Sequence, residues 1–299
     1  MDKIIITASL VVYHNSKEDI KKVIDSFLGF ESNSILFVID NSSENSLKEL
    51  CDHPRVKYVF NNKNIGFGAA HNIAFNKAYE VASDYHILLN PDLSFNPSTI
   101  KGLIRKAESD ASIGLLMPKI VYPNGDTQHL CKLIPSPKDL ILRRFTPFKM
   151  IKESLKNRYE LRFFSYNEEA EIPVLSGCFM MIRTSVLKSV TGFDERFFMY
   201  LEDVDLCRRI GKVSKLVYFP KVEAVHNYEK GSYKNTKLLS YHIKSAIKYF
   251  NKWGWVYDGE RSRINKKTLL NLRNIPNHKK RSILNLRYEP NHSKTVHIN

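Results

Sequence analysis

Over the first 121 residues, apolar positions recur with two alternating periods. Ile4–Val12 is a run rich in β-branched residues. The following segment, Lys17–Phe30, spaces Ile20, Val23, Ile24, Phe27 and Leu28 three and four residues apart, which places them on one helical face. Ser34–Ile39 is a second apolar run, too short for a helix, and it ends at Asp40-Asn41. Val56–Phe60 is a third run, Gly66–Val81 has a helical pattern, and Tyr85–Leu89 is a fourth run. Strands alternating with helices over short connections predict an α/β fold, a mostly parallel sheet flanked by helices. Such sheets bind ligands beyond the carboxyl ends of their strands.

The pattern breaks at Cys131–Glu171, where Pro135, Pro137 and Pro147 interrupt a basic and aromatic stretch of patchy periodicity. This segment reads as an excursion from the core. Order returns with a strand over Ile172–Ile182, a helix over Leu201–Ile210 and a short strand over Leu216–Phe219. A further helix over Lys237–Trp253 offers Leu238, Tyr241, Ile247 and Phe250 as inward positions. Beyond Asp258 the chain is polar, basic and weakly patterned. The expected organisation is therefore one domain over 1–258, carrying the excursion 131–171, followed over 259–299 by a basic, helical or irregular C-terminal tail or membrane-surface appendage.

Composition narrows the class. A chain of 299 residues, 43% hydrophobic and 11% aromatic, can bury a full globular core. No apolar run approaches the about 20 residues needed to span a bilayer. The start, MDKIIITASLVVYHN, reads as a first strand and not as a signal peptide. Cys51, Cys131, Cys178 and Cys207 lie far apart without metal-site spacing, as expected for free thiols in a reducing cytoplasm. The net charge of +15 is uneven: residues 261–299 hold ten Lys and Arg against one acid, Glu289. Nucleic acid, anionic lipid and anionic small substrates would all suit such a surface.

Candidate chemistry lies at the strand ends. In DYHILLNPDLSFNP (84–97), a strand stops on Asn90-Pro91-Asp92, where proline ends the ladder and a carboxylate follows. Alone, that tripeptide is ordinary turn chemistry. NKNIGFGAAHN (62–72) puts small residues where a helix begins, which lets a ligand or a neighbouring strand approach the backbone. It is neither a dinucleotide fingerprint nor a phosphate-binding P-loop. Leu175–Ile210 crowds Asp194, Glu195, Glu202, Asp203 and Asp205 among aromatics, more acids than helix capping needs. A carboxylate in such surroundings could serve as a general base. His226 follows a strand exit and would matter only if it faced Asp92.

Taken together, LVVYHN, VIDNSS, NNKNIGFGAAHN, LLNPD, LSGCFMMIR, GFDERFFMYLEDVDLCRR and AVHNYEKGS occur in an order that resembles the family 2 glycosyltransferases of GT-A fold, and among them the bacterial rhamnosyltransferase-like enzymes of surface-polysaccharide assembly. The resemblance covers roughly Ile4 to Ser232 and implies roles residue by residue. Val12, Tyr13 and His14 would wall the nucleotide pocket, Asp40 would hydrogen-bond the pyrimidine, and Asn64, Gly66 and Gly68 would lie along the nucleotide, with Asn72 holding that turn. Asp92 matches the last residue of the family's DxD metal motif and would coordinate Mg2+ or Mn2+, with His226 as the late metal-facing histidine. Asn90 replaces the motif's first acid, a weaker ligand beside the nucleotide that tilts the donor toward dTDP-rhamnose. Asp203 matches the catalytic base, with Glu202 beside it, and Ser176, Gly177 and Cys178 would line the sugar pocket.

The resulting expectation is a metal-dependent inverting glycosyltransferase, peripheral on the inner face of a bacterial plasma membrane. It would pass a sugar from a dTDP- or UDP-sugar donor to a lipid-linked glycan at an anionic membrane surface. Galactofuranose, galactose and N-acetylglucosamine are the alternative sugars. The rival is a basic nucleic-acid-binding protein; acids at strand ends argue against it, because they would repel a phosphate backbone.

Overall fold

The computed structural model describes residues 4–30, 33–142, 146–227 and 236–275. The first half runs β1 (Ile6–Val12), α1 (Lys17–Leu28), β2 (Ser34–Asp40), β3 (Val56–Phe60), α2 (Phe67–Glu80), β4 (Tyr85–Leu89), β5 (Leu93–Phe95), α3 (Pro97–Ser109) and β6 (Ile113–Val121). The second half runs α4 (Lys149–Tyr159), β7 (Ala170–Glu171), β8 (Phe179–Arg183), α5 (Thr184–Ser189), α6 (Glu202–Ile210), β9 (Lys215–His226), α7 (Thr236–Trp253) and α8 (Gly259–Arg273).

The strands form one nine-stranded sheet ordered β3-β2-β1-β4-β8-β6-β9-β5, with β7 on β9. The half β3-β2-β1-β4 is wholly parallel. Beyond β4 the sheet is mixed, since β8 runs antiparallel to both β4 and β6, while β6 and β9 pair in parallel. All seven residues of β1 are buried, the signature of a strand covered on both faces. Helix α1 buries Ile20, Val23, Ile24 and Phe27 against the sheet, each contributing about 1.5–3 kcal/mol relative to exposure. Ser16 caps it by accepting from the Asp19 amide at 3.1 Å.

Three expectations are corrected. The strand anticipated over Ile172–Ile182 exists only as Phe179–Arg183. Pro173 offers no amide for a ladder, and the Gly177 amide donates to Asp203. The strand anticipated over Leu216–Phe219 runs on to His226, through a register shift between Pro118 and Lys119 on its neighbour β6. The excursion 131–171 is sewn into the core: Leu133, Ile134, Leu161, Phe164 and Tyr166 are buried, and the Tyr166 hydroxyl donates to the Glu160 carbonyl at 2.9 Å.

The C-terminal segment also differs from a loose tail. Residues 259–273 form α8, and Asn265 clamps the excursion by accepting from the Ile134 amide and donating to its carbonyl, both at 2.9 Å. A buried ion pair joins α6 to the start of α8, with Arg208 Nη1 at 2.8 Å from Asp258 Oδ2. The remainder of the expected tail, 276–299, lies outside the described residues. On α7 the inward face is Ser245, Ala246, Tyr249 and Phe250, while Ile247 is 44% exposed. Two residues from both 245 and 249, position 247 falls on the opposite side of a 3.6-residue helix. No helix among the described residues is long and apolar enough to cross a membrane.

Candidate active site

The parallel strands deliver their carboxyl ends to one rim. At the ends of β1 and β2, Val12 pairs with Asp40, and the chain then opens into Tyr13-His14 and Asn41-Ser42. Val12 is 1% exposed, so it supports the rim from the core side and does not wall a pocket; Tyr13, 48% exposed, is the side chain on the surface. His14 adopts φ 53°, and its amide donates to the Ser42 hydroxyl at 3.0 Å. Asp40 has no exposed surface. Its Oδ1 accepts from the Ser42 amide at 2.8 Å and its Oδ2 from the Tyr58 hydroxyl at 2.6 Å. Burial first, and then that bond to Asp40, holds the Tyr58 phenol well above its usual range.

The small-residue turn closes the next part of the rim. Asn64 accepts from the Gly66 amide at 3.0 Å, and the Asn41 amide group donates to the Gly66 carbonyl at 3.2 Å. Gly66 sits at φ 95°, ψ 168°, a region that essentially only glycine occupies. A Cβ there would lie 2.6 Å from the Phe198 carbonyl oxygen, and one on Gly68 would lie 2.9 Å from Phe193 Cβ. Both glycines therefore serve close packing of α2 on the loop before α6. Asn72 belongs to that same contact and does not hold its own turn: it accepts from the Phe193 amide at 2.8 Å and donates to the Phe193 carbonyl at 3.0 Å.

The loop leads directly into the acid cluster. Tyr200 and Leu201 both take positive φ, at 71° and 65°, so two strained residues aim the start of α6. Asp203 accepts from the Gly177 amide through Oδ2 at 3.2 Å and from the Val204 amide through Oδ1 at 2.8 Å. A carboxylate has about four lone-pair sites, so each oxygen retains capacity. Glu202 is buried at 6% exposure, with Oε2 accepting no hydrogen bond among the described residues. Burial, and then the Asp203 charge, push its carboxyl well above the usual range. Asp205 is fully committed, taking Arg209 Nε at 2.8 Å, Trp253 Nε1 at 2.8 Å and Lys252 Nζ at 2.6 Å.

The end of β4 meets the same cluster. The Asn90 amide donates to the Cys178 carbonyl at 2.9 Å, and Asp92 Oδ1 lies 3.0 Å from His226 Nε2. Cys178 is buried and its thiol is pushed up to about 12, by burial first and then by the Asp92 and Asp203 charges after a Ser176 hydrogen bond that lowers it. Any contribution of Cys178 to a sugar pocket is thus through its backbone. Gln128 orients the histidine. Its amide nitrogen donates to the His226 carbonyl at 2.8 Å, which turns Oε1 toward His226 Nδ1 at 3.0 Å. That pairing fixes the ring so that Nε2 faces Asp92 Oδ1. Asp92 Oδ1 and His226 Nε2, 3.0 Å apart, are donor types that suit a hard or borderline divalent cation.

Among the described residues no three His, Cys, Asp or Glu side chains cluster as a complete metal cage. A cation at Asp92 and His226 would complete its shell from ligand oxygens and water.

The glycosyl transferase family 2 sequence model matches residues 9–191. The chain belongs to this family. Among relatives of this family 2 member, the N-acetylglucosaminyl-diphospho-decaprenol L-rhamnosyltransferase of Mycobacterium tuberculosis is 32% identical over 191 residues, covering 58% of this chain and 60% of that protein. Rhamnosyltransferase WbbL of Escherichia coli is 26% identical over 253 residues, covering 80% of this chain and 90% of WbbL. In fold, the chain is similar to the Pyrobaculum calidifontis mannosyltransferase PcManGT solved with GDP-Man and Mn2+, at TM-score 0.55 and 14% identity over 90% of this chain and 70% of that one. The resemblance read from the ordered motifs thus holds for family and fold.

The rim of this family 2 chain brings together Asn90, Asp92, Gly177, Cys178, Asp203 and His226 on one side, and Tyr13, His14, Asp40, Asn64 and Gly66 on the other. Sequence reasoning missed Tyr58, Ser42, Gln128 and Phe198, which hold these residues in place. Ser42 and Phe198 stand inside the motifs VIDNSS and GFDERFFMYLEDVDLCRR, and Tyr58 left a signal as a polar-tipped residue two before the end of a strand. Also missed was a buried polar chain between β1, β4 and α2: Ser9 Oγ lies 2.7 Å from His71 Nδ1 and 2.8 Å from His86 Nε2, and Thr7 Oγ1 lies 2.8 Å from His86 Nδ1. Burial lowers both imidazoles, His86 to about 3, so this chain is a neutral tether and not a charge store.

Proposed function

We propose that the chain is an inverting glycosyltransferase that moves a hexose, L-rhamnose from dTDP-rhamnose, onto a lipid-linked glycan at the inner face of a bacterial plasma membrane. The observation that carries the reading is Asp203, a half-buried carboxylate oriented by two backbone amides within the rim that also holds Asp92 and His226. The donor sugar and the lipid-linked acceptor take their support from the names of the two rhamnosyltransferase relatives.

In this reading the base of the nucleotide packs beside Tyr13 and reaches Asp40 once the Tyr58 hydroxyl swings off Oδ2. Asn64 and the backbone at Gly66 and Gly68 follow the ribose and phosphates, with Asn90 and His14 at the edges. Ser176, Gly177 and the Cys178 backbone border the sugar. Asp203 takes the proton of the acceptor hydroxyl as its oxygen bonds to C1, the C1–O bond to phosphate breaks, and the electron pair leaves with the nucleoside diphosphate. A single displacement inverts C1. Asp92 and His226 would hold Mg2+ or Mn2+, which when bound supplies charge stabilisation to the diphosphate leaving group. Glu202 is closed off from the rim and acts behind Asp203, not as the base.

A panel of dTDP-, UDP- and GDP-sugars with and without Mn2+, read by thermal shift and then by transfer to a polyprenyl-diphosphate-linked sugar, tests the proposal. A ligand at 100 times its Kd stabilises by about 2.7 kcal/mol. Selective, Mn2+-dependent stabilisation by dTDP-rhamnose with transfer supports it. Stabilisation by none of the panel, with retention on oligonucleotide, would replace it with the nucleic-acid reading.

A further inference from the structure

Away from the rim, a cavity of about 760 Å³ opens between the excursion and α8. Lys138, Arg158, Arg261, Lys266 and Arg273 line it, against a single acid, Asp139. That acid is engaged, since its Oδ2 accepts from the Ser136 amide at 2.8 Å and the Ser136 hydroxyl at 2.6 Å. Arg261 is the unusual member. It is 7% exposed, and its Nη1 donates no hydrogen bond among the described residues. The nearest acidic oxygen, Asp258 Oδ2, is 3.9 Å away and already takes Arg208 Nη1 at 2.8 Å. A buried guanidinium with a spare donor in a cation-lined cavity asks for an anion.

The cavity is flanked by apolar residues that stand exposed among the described residues. Trp255 and Val256 line it and continue into Tyr257; Val256 is 93% exposed and Tyr257 90%. Arg158 comes from the last turn of α4, and about two turns back along that helix, outside the cavity lining, Met150 and Ile151 are exposed, Met150 by 87%. Lone exposed apolar residues are ordinary. Two sets beside one basic cavity are not, because charge with aromatic and aliphatic tips is the composition of an interfacial surface. A second copy is disfavoured, since a two-fold contact would set cations against cations. A nucleic-acid backbone would match the cations but gain nothing from Val256 or Met150.

We propose that this face docks on an anionic bilayer. Lipid headgroup phosphates enter the cavity and meet Arg261, while the Trp255–Tyr257 loop and the start of α4 rest in the interfacial layer. The inference deepens, and for its purpose rests on, the lipid-linked acceptor proposed above: it names the surface that would hold the enzyme where such an acceptor lies.

The test is co-sedimentation of the full chain with mixed phosphatidylglycerol–phosphatidylcholine vesicles, compared with phosphatidylcholine alone. Two surface double variants are used, Arg158→Glu with Lys266→Glu, and Val256→Asp with Tyr257→Asp. Buried Arg261 is left untouched so that folding is preserved. Each pair should weaken partition onto the anionic vesicles about tenfold or more, the charge pair losing its effect at high salt. Both should keep the thermal shift given by a sugar nucleotide. Unchanged partition of both variants, equal binding of the parent to neutral and anionic vesicles, or retention by an RNA oligonucleotide without vesicle binding would each overturn the docking face. A chain that partitions as expected yet binds no sugar nucleotide refutes the transferase reading alone.

Discussion

Gly66→Ala probes the contact that joins the two halves of the rim. At φ 95°, ψ 168° an added side chain costs about 1–3 kcal/mol in backbone strain. The new Cβ would also lie 2.6 Å from the Phe198 carbonyl oxygen, which is backbone and cannot rotate away. That oxygen accepts from the Phe67 amide at 2.9 Å, so relief means giving up a bond worth about 0.5–1.5 kcal/mol. The sum, about 2–4 kcal/mol, corresponds to a fall in Tm of about 3–6 °C for a domain of this size. Because Phe198 lies in the loop that leads to Asp203, sugar-nucleotide affinity should fall as well. Gly125→Ala is the control: its φ is 86°, but nothing lies within 4 Å of the added carbon, so only the backbone cost of about 1 kcal/mol applies. Scanning calorimetry and titration calorimetry on both variants decide the matter. If Gly66→Ala melts and binds like Gly125→Ala, the close approach to Phe198 is not holding the site together.

Three further outcomes follow from the same geometry. Asp92→Ala should leave the fold intact and remove the Mn2+ dependence of donor binding in titration calorimetry; unchanged dependence would clear Asp92 of the metal role. Glu202→Gln should reshape the pH dependence of stability. Burial raises the folded pKa above 4.5, so the unfolded chain releases this proton first and wild-type stability declines as pH rises from about 4.5 toward the raised value. The amide cannot ionise, so its Tm relative to wild type should climb across that window, and parallel Tm–pH curves would contradict the assignment. Asp205→Ala removes a buried acceptor from Arg209, Lys252 and Trp253, of which Lys252 keeps Asp194 and Arg209 keeps the Val190 and Gly192 carbonyls, and should cost about 1–3 kcal/mol in urea unfolding. A loss under about 1 kcal/mol would mean that these partners re-pair elsewhere.

What the sequence made legible was whatever local pattern encodes. Tyr85–Leu89 falls where its apolar run places it because all five residues are buried, and the edge strand Val56–Phe60, with Lys57 exposed, is marked by its β-branched and aromatic residues. Over 259–299 the sequence left helical and irregular open, and α8 was not singled out for the opposite reason. Its inward positions 261, 265, 268 and 272 keep helical spacing, but three of them are Arg, Asn and Thr, and Asn265 is held there by its two bonds to the Ile134 backbone. Hydrophobic periodicity cannot register a face that is buried through hydrogen bonds. The site divides in the same way. Asp92 and Asp203 stand in ordered motifs, whereas Tyr58 and Gln128 act through contacts between segments distant in sequence, which spacing along the chain does not reveal.

The central claim is that Asp203 accepts the acceptor's proton, and Asp203→Asn tests it most directly. Asparagine keeps the size and one accepting oxygen, so it can satisfy either the Gly177 or the Val204 amide but not both. The structural loss is about 1–3 kcal/mol and is measured separately by unfolding. Turnover is the decisive readout, since a positioned base contributes about 10²–10⁴-fold. With donor and acceptor saturating, kcat should drop at least about 10²-fold while the donor dissociation constant stays within about threefold. Transfer at the wild-type rate by a folded Asp203→Asn protein would contradict the account, whatever family and fold the chain belongs to.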